Sequence, residues 1–261
     1  ANTGYYDPAT GVNTEIQVCL ARRTPDNQPT NGINRIVSPL TELNTNDDRD
    51  LKDLSRWEPK DYINVWVVKE ACGFSLGCGL AGYAFYPSAH GGRLDGIVME
   101  ARWLADDEAD VGVLIHELGH YLGLRHTFEG GCENEDCARD GDRVCDTPPD
   151  QSTVAVPCTG SANSCVTDTD SGPFTADQDD MHINYMDYGY FRCYSAFTDG
   201  QRERMHFFLE GRRRSLLESF GCLEPCPVEV TASFTGGDVT VPLGTTIDFV
   251  NTSTGASDYV W

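Results

Sequence analysis

The sequence predicts an α/β (α+β) protein built around one metal-bearing helix, and three observations carry that reading. Residues 116–126 read His-Glu-Leu-Gly-His-Tyr-Leu-Gly-Leu-Arg-His, a helical stretch that ends in a turn. The chain ahead of it holds short runs rich in β-branched and aromatic residues, as strands are. The chain behind it, from Phe128 to Asp180, is long, polar, cysteine-bearing and without regular period.

In chain order, Ile16 to Ala21 alternates well enough for a strand, and Asp50 to Arg56 has the acids and leucines of a short helix. Tyr62 to Val68 (Tyr-Ile-Asn-Val-Trp-Val-Val) predicts a central strand. Residues 72–92, dense in glycine, predict a loop or bulged edge, and Asp95 to Trp103 a further strand. Asp106, Asp107, Glu108 and Asp110 then open a helix, where acids complement the positive end of its dipole. Val113, Leu114, Leu118 and Leu122 form its apolar stripe. A loop as long as 128–180 either has a task or lacks order. Gly200 to Ser219 carries Met205, Phe208, Leu209, Leu216 and Leu217 at helical spacing. Pro225-Cys226-Pro227 marks a boundary, after which residues 228–250 alternate as short strands.

Chemistry concentrates in residues 116–126. Histidines four apart stack on one helix face, so His116 and His120 reach the same ion. Glu117 sits beside that ion without binding it and can take a proton from water there. Gly123 turns the chain, since glycine carries no penalty at positive φ, and the turn returns His126 as a third ligand. Three imidazoles leave the fourth tetrahedral position of zinc open, the arrangement of a catalytic site. Histidines on an amphipathic helix can also be mere surface or core residues. That alternative leaves unexplained why three of only six histidines fall at ligand spacing around a glutamate.

The 261 residues, 39% of them hydrophobic, suffice for one sizeable core and a small extra piece. A net charge of −22 from 41 acids and 19 bases repels phosphate backbones, which argues against a nucleic-acid partner. No apolar run approaches the roughly 20 residues that span a bilayer. No signal peptide opens the chain, so Ala1 is expected to be a processed or cloned start. Eleven cysteines without paired C-x-x-C knuckles predict a secreted, disulfide-bonded protein. Proximity pairs Cys72 with Cys78, Cys137 with Cys145 and Cys222 with Cys226, leaving Cys19 as a free thiol. Asp142, Asp146 and Thr147 lie close together between turn residues. Oxygen ligands at short spacing suit calcium, though a solvated acidic loop would read the same way.

The extended zinc motif is that of the metzincins, and other segments narrow the match. Gly141-Asp142-Arg143-Val144-Cys145-Asp146-Thr147-Pro148-Pro149, Asn184-Tyr185-Met186-Asp187-Tyr188, Cys19-Leu20-Ala21 and Phe197 to Met205 together resemble the pappalysin family of metalloproteases over nearly all of residues 1–222. The resemblance implies a zincin fold: a twisted, mostly parallel sheet, the zinc helix above a cleft, and an irregular, disulfide-rich lower part. It implies a catalytic domain over 1–224, with its upper subdomain at 1–123 and its lower at 124–224. It implies that the strand before the zinc helix is the sheet's edge, so that residues 79–103 rim the cleft and pair with an extended substrate. It also implies bridges Cys132–Cys165 and Cys158–Cys193, zinc on His116, His120 and His126, and most of the case for calcium. Met186 marks the Met-turn, a packed floor beneath the metal. Tyr188 is implied to steady the tetrahedral intermediate; a plain buried tyrosine is the alternative. Residues 225–261 resemble a linker and the opening strands of a PKD domain, an immunoglobulin-like sandwich, either cut short or docked on a neighbour.

The expectation is a secreted zinc endopeptidase, monomeric, acting on protein or peptide substrates. A secreted adhesion module that keeps a zincin fold is the alternative, and an intact Glu117 argues against it. Family members that prefer lysine or arginine after the cut use an acid that follows the Met-turn tyrosine. Here Gly189-Tyr190-Phe191-Arg192-Cys193 follows Tyr188, with no acid. If Arg192 faces the pocket it repels basic side chains; if it faces solvent, Tyr190 and Phe191 form an apolar pocket.

Overall fold

The structure, a computed structural model, describes residues 11–73, 77–104, 108–225, 231, 233–236 and 240–254, without the side chains of 108–111. Asp106, Asp107, Cys226 and the side chains of Glu108 and Asp110 therefore lie outside the described residues. The elements in chain order are β1 (Glu42–Asn44), α1 (Asp48–Leu54), β2 (Val65–Val68), β3 (Glu70–Cys72), β4 (Gly82–Ala84), β5 (Ile97–Glu100), α2 (Glu108–Tyr121), α3 (Asp199–Glu210), β6 (Phe234–Thr235) and β7 (Val250–Asn251).

β2 and β3 are consecutive, separated only by Lys69. β3 pairs parallel with β1, β2 pairs parallel with β5, and β4 closes the other side of β5 antiparallel. This corrects two expectations. The strand before the zinc helix, β5, is the central strand and not the edge. It is flanked by β2 on one side and on the other by β4, an edge strand from within the glycine-rich stretch 72–92. The β2 run predicted as central exposes Val65 and Val67 and buries only Trp66 and Val68, whereas Ile97, Val98, Met99 and Glu100 are all buried. A strand covered on both faces reads as a continuous apolar run, and β5 is such a run but for Glu100.

Alternation along β5 divides the core. Val98 joins Trp66, Val68, Ala71, Leu43 and Leu51 under α1. Ile97 and Met99 face α2 and meet Val113, Tyr121, Leu122, Leu124, Tyr185, Met186, Tyr194, Phe197 and Met205. From 128 to 180 no helix or strand forms, as the sequence predicts. α3 stops at Glu210; Gly211 follows, and Arg214–Glu218 continue as a 3₁₀ turn in place of one helix to Ser219. β6 and β7 pair antiparallel as a short ribbon.

Ile16 to Ala21 is not a strand. Cys19 is bonded to Cys222, so it is not the free thiol, and Cys222 is not paired with Cys226. The Arg22 amide donates to the Gly221 carbonyl (2.8 Å) and the Val12 amide to that of Phe197 (3.0 Å). The segment thus straps onto the C-terminal part of the fold rather than adding to a sheet. The other four disulfides, Cys72–Cys78, Cys132–Cys165, Cys137–Cys145 and Cys158–Cys193, match expectation.

One buried ion pair locks the two parts of the chain together. Arg213 and Asp95 are both fully buried. Arg213 Nη1 donates to both Asp95 oxygens (2.9 and 3.0 Å), Nε to the Tyr121 carbonyl (2.6 Å) and Nη2 to that of Phe85 (3.0 Å). Its guanidinium lies 3.3 Å from the centre of the Tyr121 ring. A single side chain thus ties the last residue of α2 to both ends of the connection between β4 and β5. Removing one partner strands a buried charge, so Arg213→Ala is expected to cost about 3–5 kcal/mol, read as a lower urea midpoint. Arg213→Met combined with Asp95→Leu is expected to recover most of that loss; equal instability of the double variant would locate the defect in packing instead.

Candidate active site

α2 ends where the motif needs it to. The Leu124 amide donates to the Gly119 carbonyl and the Gly123 amide to that of His120, both 2.9 Å. Gly123 takes φ +96°. This is a Schellman stop, in which a residue in the left-handed region satisfies the last carbonyls of a helix. A Cβ at Gly123 would also fall 2.2 Å from Phe208 on α3. The turn brings His126 back under the helix.

His116, His120 and His126 converge as their spacing predicts. His126 Nε2 lies 3.0 Å from His120 Nε2 and 3.3 Å from His116 Nε2. His116 Nδ1 donates to the Tyr185 carbonyl (2.6 Å) and His120 Nδ1 to that of Leu124 (2.9 Å). Those bonds place the ring protons on Nδ1 and turn the Nε2 lone pairs of both rings inward. Burial is the main force holding all three rings neutral: His116 falls well below its ordinary range, His120 falls below it, and His126 goes down to about 3. Inward lone pairs about 3 Å apart repel one another unless a cation sits between them, so this donor set fits a metal ion. The other grouping of potential ligands among the described residues, Glu70 with Cys72 and Cys78, has its sulfurs in a disulfide.

Glu117 is buried, and its Oε2 has no hydrogen-bond partner among the described residues. Burial raises its carboxyl to about 8. A Cβ on Gly82 of β4 would come within 3.0 Å of Glu117 Cγ, which puts the carboxylate close under the edge strand.

Met186 is fully buried in the core, as a Met-turn floor should be. A Cβ at Gly119 would meet its sulfur at 2.4 Å, so the second variable position of H-E-x-x-H is held to glycine by this contact. The turn is shaped by Asn184, which exchanges two amide bonds with Gln201 (2.9 and 3.1 Å) and accepts the Met186 amide (2.9 Å). Gln201 in turn completes the capping box of α3 with Thr198.

Tyr188 is 48% exposed, so it is not the plain buried tyrosine. Its ring centre is 4.7 Å from His126 and 5.8 Å from His116. Sequence reasoning missed two aromatic neighbours. Phe128 stacks on His126 (4.7 Å, 11°), and Tyr86 sets its edge on His120 (5.7 Å). Phe128 follows the motif by two residues and could have been read from that position; Tyr86 is 30 residues upstream and gives no local signal.

Arg192 is exposed, while Phe191 packs on Trp103 (4.7 Å) and Tyr194 (5.6 Å). The three residues suggested for calcium divide. Thr147 Oγ1 donates to Asp142 (2.8 Å), and both line a cavity of about 20 Å³ together with Glu133 and Asp140. Asp146 is elsewhere: it accepts from Thr198 Oγ1 (2.7 Å) and the Gly200 amide (2.9 Å) at the start of α3.

Known proteins share this arrangement. An extracellular metalloprotease of Neurospora crassa is 34% identical over 163 residues, 59% of this chain and 50% of its own. One from Arthroderma benhamiae is 34% identical over 171 residues, 61% and 51% respectively. The chain thus spans about half the length of the curated relatives it matches. Two solved structures share the α/β fold. Mirolysin in complex with compound 9 superposes with a TM-score of 0.62 at 27% identity, covering 83% of this chain and 79% of that one. Mature mirolysin of Tannerella forsythia with a cleaved peptide gives 0.59 at 29%, covering 80% and 77%. The family model described as peptidase M43, pregnancy-associated plasma protein-A, matches residues 45–210. With that match spanning more than half of the sequence and enclosing the three histidines, Glu117 and the Met-turn, the chain belongs to the M43 peptidase family, the pappalysins.

Proposed function

We propose that the chain is the catalytic part of a secreted zinc endopeptidase that hydrolyses peptide bonds without a covalent intermediate. The convergence of three neutral imidazoles beside an unpartnered, buried Glu117 carries this reading. Nitrogen-only donors suit zinc and do not suit calcium or magnesium, which take oxygen. Zinc at such a site supplies Lewis acidity and brings the pKa of a water to about 7. Glu117 takes the proton from the attacking water at Oε2 and delivers it to the leaving amine. Burial alone raises that carboxyl to about 8, and the charge of a cation held by the three imidazoles would favour its ionised form and make it available as a base. The Tyr188 phenol donates to the oxygen that gains charge in the transition state. The free edge of β4, beside Glu117, lines up an extended peptide by strand addition. Mirolysin with a cleaved peptide and relatives named as extracellular support a peptide substrate and secretion, as do five disulfides among the described residues.

The catalytic unit is placed at 1–224, its parts meeting at Gly123, with 225–261 as a linker and the start of a PKD-like module; the Cys19–Cys222 bridge near both ends of the unit supports that limit. A preference for lysine or arginine after the cut is not assigned, because residues 189–193 carry no acid and Arg192 is exposed. Calcium is assigned to the small cavity, through Asp142 and Thr147 and without Asp146.

Glu117→Ala is expected to lower casein hydrolysis by about 10²–10⁴-fold while one zinc per chain remains by elemental analysis. Undiminished proteolysis would end the assignment and leave a binding module as the better reading. Tyr188→Phe, which keeps the ring contacts, is expected to reduce kcat by about 10²-fold with KM little changed; a change confined to KM would move Tyr188 from transition-state to substrate binding. Millimolar calcium is expected to raise the thermal midpoint of the wild type but not of Asp142→Asn, measured by calorimetry after removal of bound ions.

A further inference from the structure

Around His120 and the turn that follows it, the chain places two arginines and a tyrosine that the proposed chemistry does not use. Arg125 lies between Leu124 and His126, inside the zinc turn. It gives one nitrogen, Nη1, to Glu129 Oε1 (3.2 Å), and its side chain remains 29% exposed. Arg204 on α3 reaches the same turn, where Nε donates to the Gly123 carbonyl (2.7 Å) while the guanidinium sits over Phe208. Neither arginine bonds a carboxylate with its full fork. The edge of the Tyr86 ring rests on His120, and the residue is 43% exposed. It follows β4, the edge strand, by two residues.

The electrostatics are consistent with that placement. Burial lowers Arg204 below the usual guanidinium range, and the charge of Arg125 lowers it further. Burial raises the Tyr86 phenol, which feels Glu129, Arg125, Glu117 and Arg204. Arg125 and Arg204 are close enough to repel one another, and Glu129 gives a single oxygen to Arg125, so neither guanidinium is saturated by a carboxylate among the described residues. Asp142 attracts Arg204 from its buried position, but it is hydrogen-bonded to Thr147 and Val144. Arginine forks and a phenol together match the donor geometry that a carboxylate accepts.

We propose that Arg125, Arg204 and the Tyr86 hydroxyl form a recognition site, beside His120 in the cleft, for a carboxylate of the bound peptide. This rests on the peptidase reading, because it takes the ligand to be a peptide lying along β4. The carboxylate is supplied either by a glutamate or aspartate side chain or by the peptide's own C-terminus.

The test uses one peptide sequence through which a single glutamate is moved, each with a glutamine counterpart, in free-acid and C-terminally amidated forms. Binding is measured by calorimetry to the full chain carrying Glu117→Ala, so that no turnover is needed. One glutamate position is expected to bind about tenfold more tightly than its glutamine counterpart, the worth of a charge-assisted pair. A free-acid peptide that binds about tenfold more tightly than its amide, whichever residue occupies the moved position, would identify the terminal carboxylate as the source; a glutamate preference that survives amidation would identify the side chain. Adding Arg125→Ala is expected to reduce the difference to less than about twofold, with zinc content unchanged and Arg125→Lys retaining part of it. Tyr86→Phe, which keeps the ring on His120, is expected to weaken the same preference about threefold. Equal binding of every glutamate and glutamine pair together with equal binding of the free-acid and amidated forms, or a preference that survives both Arg125→Ala and Tyr86→Phe, would overturn the proposal. A preserved binding preference in a wild-type chain that cuts none of the peptides would instead sink the peptidase reading alone.

Discussion

Three imidazole lone pairs held about 3 Å apart in a buried site are the constraint on which this structure turns. Each ring must stay neutral and each must be aimed. Aiming is done by the backbone: the Tyr185 carbonyl fixes His116 and the Leu124 carbonyl fixes His120. The first acceptor comes from 69 residues away, so the zinc helix depends on the Met-turn, and the Met-turn depends on what holds it. That support is a relay of polar contacts. Asn184 exchanges bonds with Gln201, Gln201 closes the cap on α3, and Asp146 reaches Thr198 and Gly200 at the same helix end. An irregular segment is thereby tied to the one regular element of the lower part.

What could be read from the chain follows the range of the interactions involved. The candidate metal site is local: its three imidazoles lie within eleven residues, and helix period plus one glycine suffice to place them. The bridges Cys72–Cys78 and Cys137–Cys145 are local too, with separations of 6 and 8 residues. Cys19–Cys222 spans 203 residues, and no local pattern distinguishes Cys222 pairing with Cys19 from its pairing with Cys226. The Ile16–Ala21 run misled for the same reason. Its alternation is that of a strand, but Cys19 and the Arg22 amide bind it to residues 221–222, where no strand is available. β5 was readable as a strand but not as the central one, because centrality depends on where β4 docks. The buried Arg213–Asp95 pair left no trace either: an arginine in an Arg-Arg-Arg run reads as solvated surface, and only the fold turns one of the three inward.

Close packing explains residues that the metal chemistry leaves free. The motif H-E-x-x-H places no demand on its second variable position, yet the Met186 sulfur leaves room for nothing larger than glycine at 119. Gly123 answers two demands at once, a left-handed φ and the approach of Phe208. Helix, turn and floor are therefore not separable parts, since each is shaped by the surface of another. In a close-packed interior the cost of one added methyl group is felt as displacement, and here the displaced group would be a ligand or the floor beneath it.

The lower part has little apolar core of its own from 128 to 180. It buries Asp142, Asp150, Asp168, Asp180 and Asp187, each 6% exposed or less. Burial raises the carboxyls of Asp142 and Asp187 to about 7 and lifts Asp150 and Asp168 as well. An uncompensated buried carboxylate costs several kcal/mol and settles by taking a proton or a cation. No arginine or lysine is hydrogen-bonded to any of the five among the described residues; the partners of Asp142, Asp150, Asp180 and Asp187 are backbone amides and hydroxyls. Three disulfides lie within or reach this stretch and limit the freedom of its unfolded form, but they do nothing for the charge. Crosslinks and hydrogen bonds thus have different tasks there. The first hold the chain's path, and the second share the cost of burying those carboxyls.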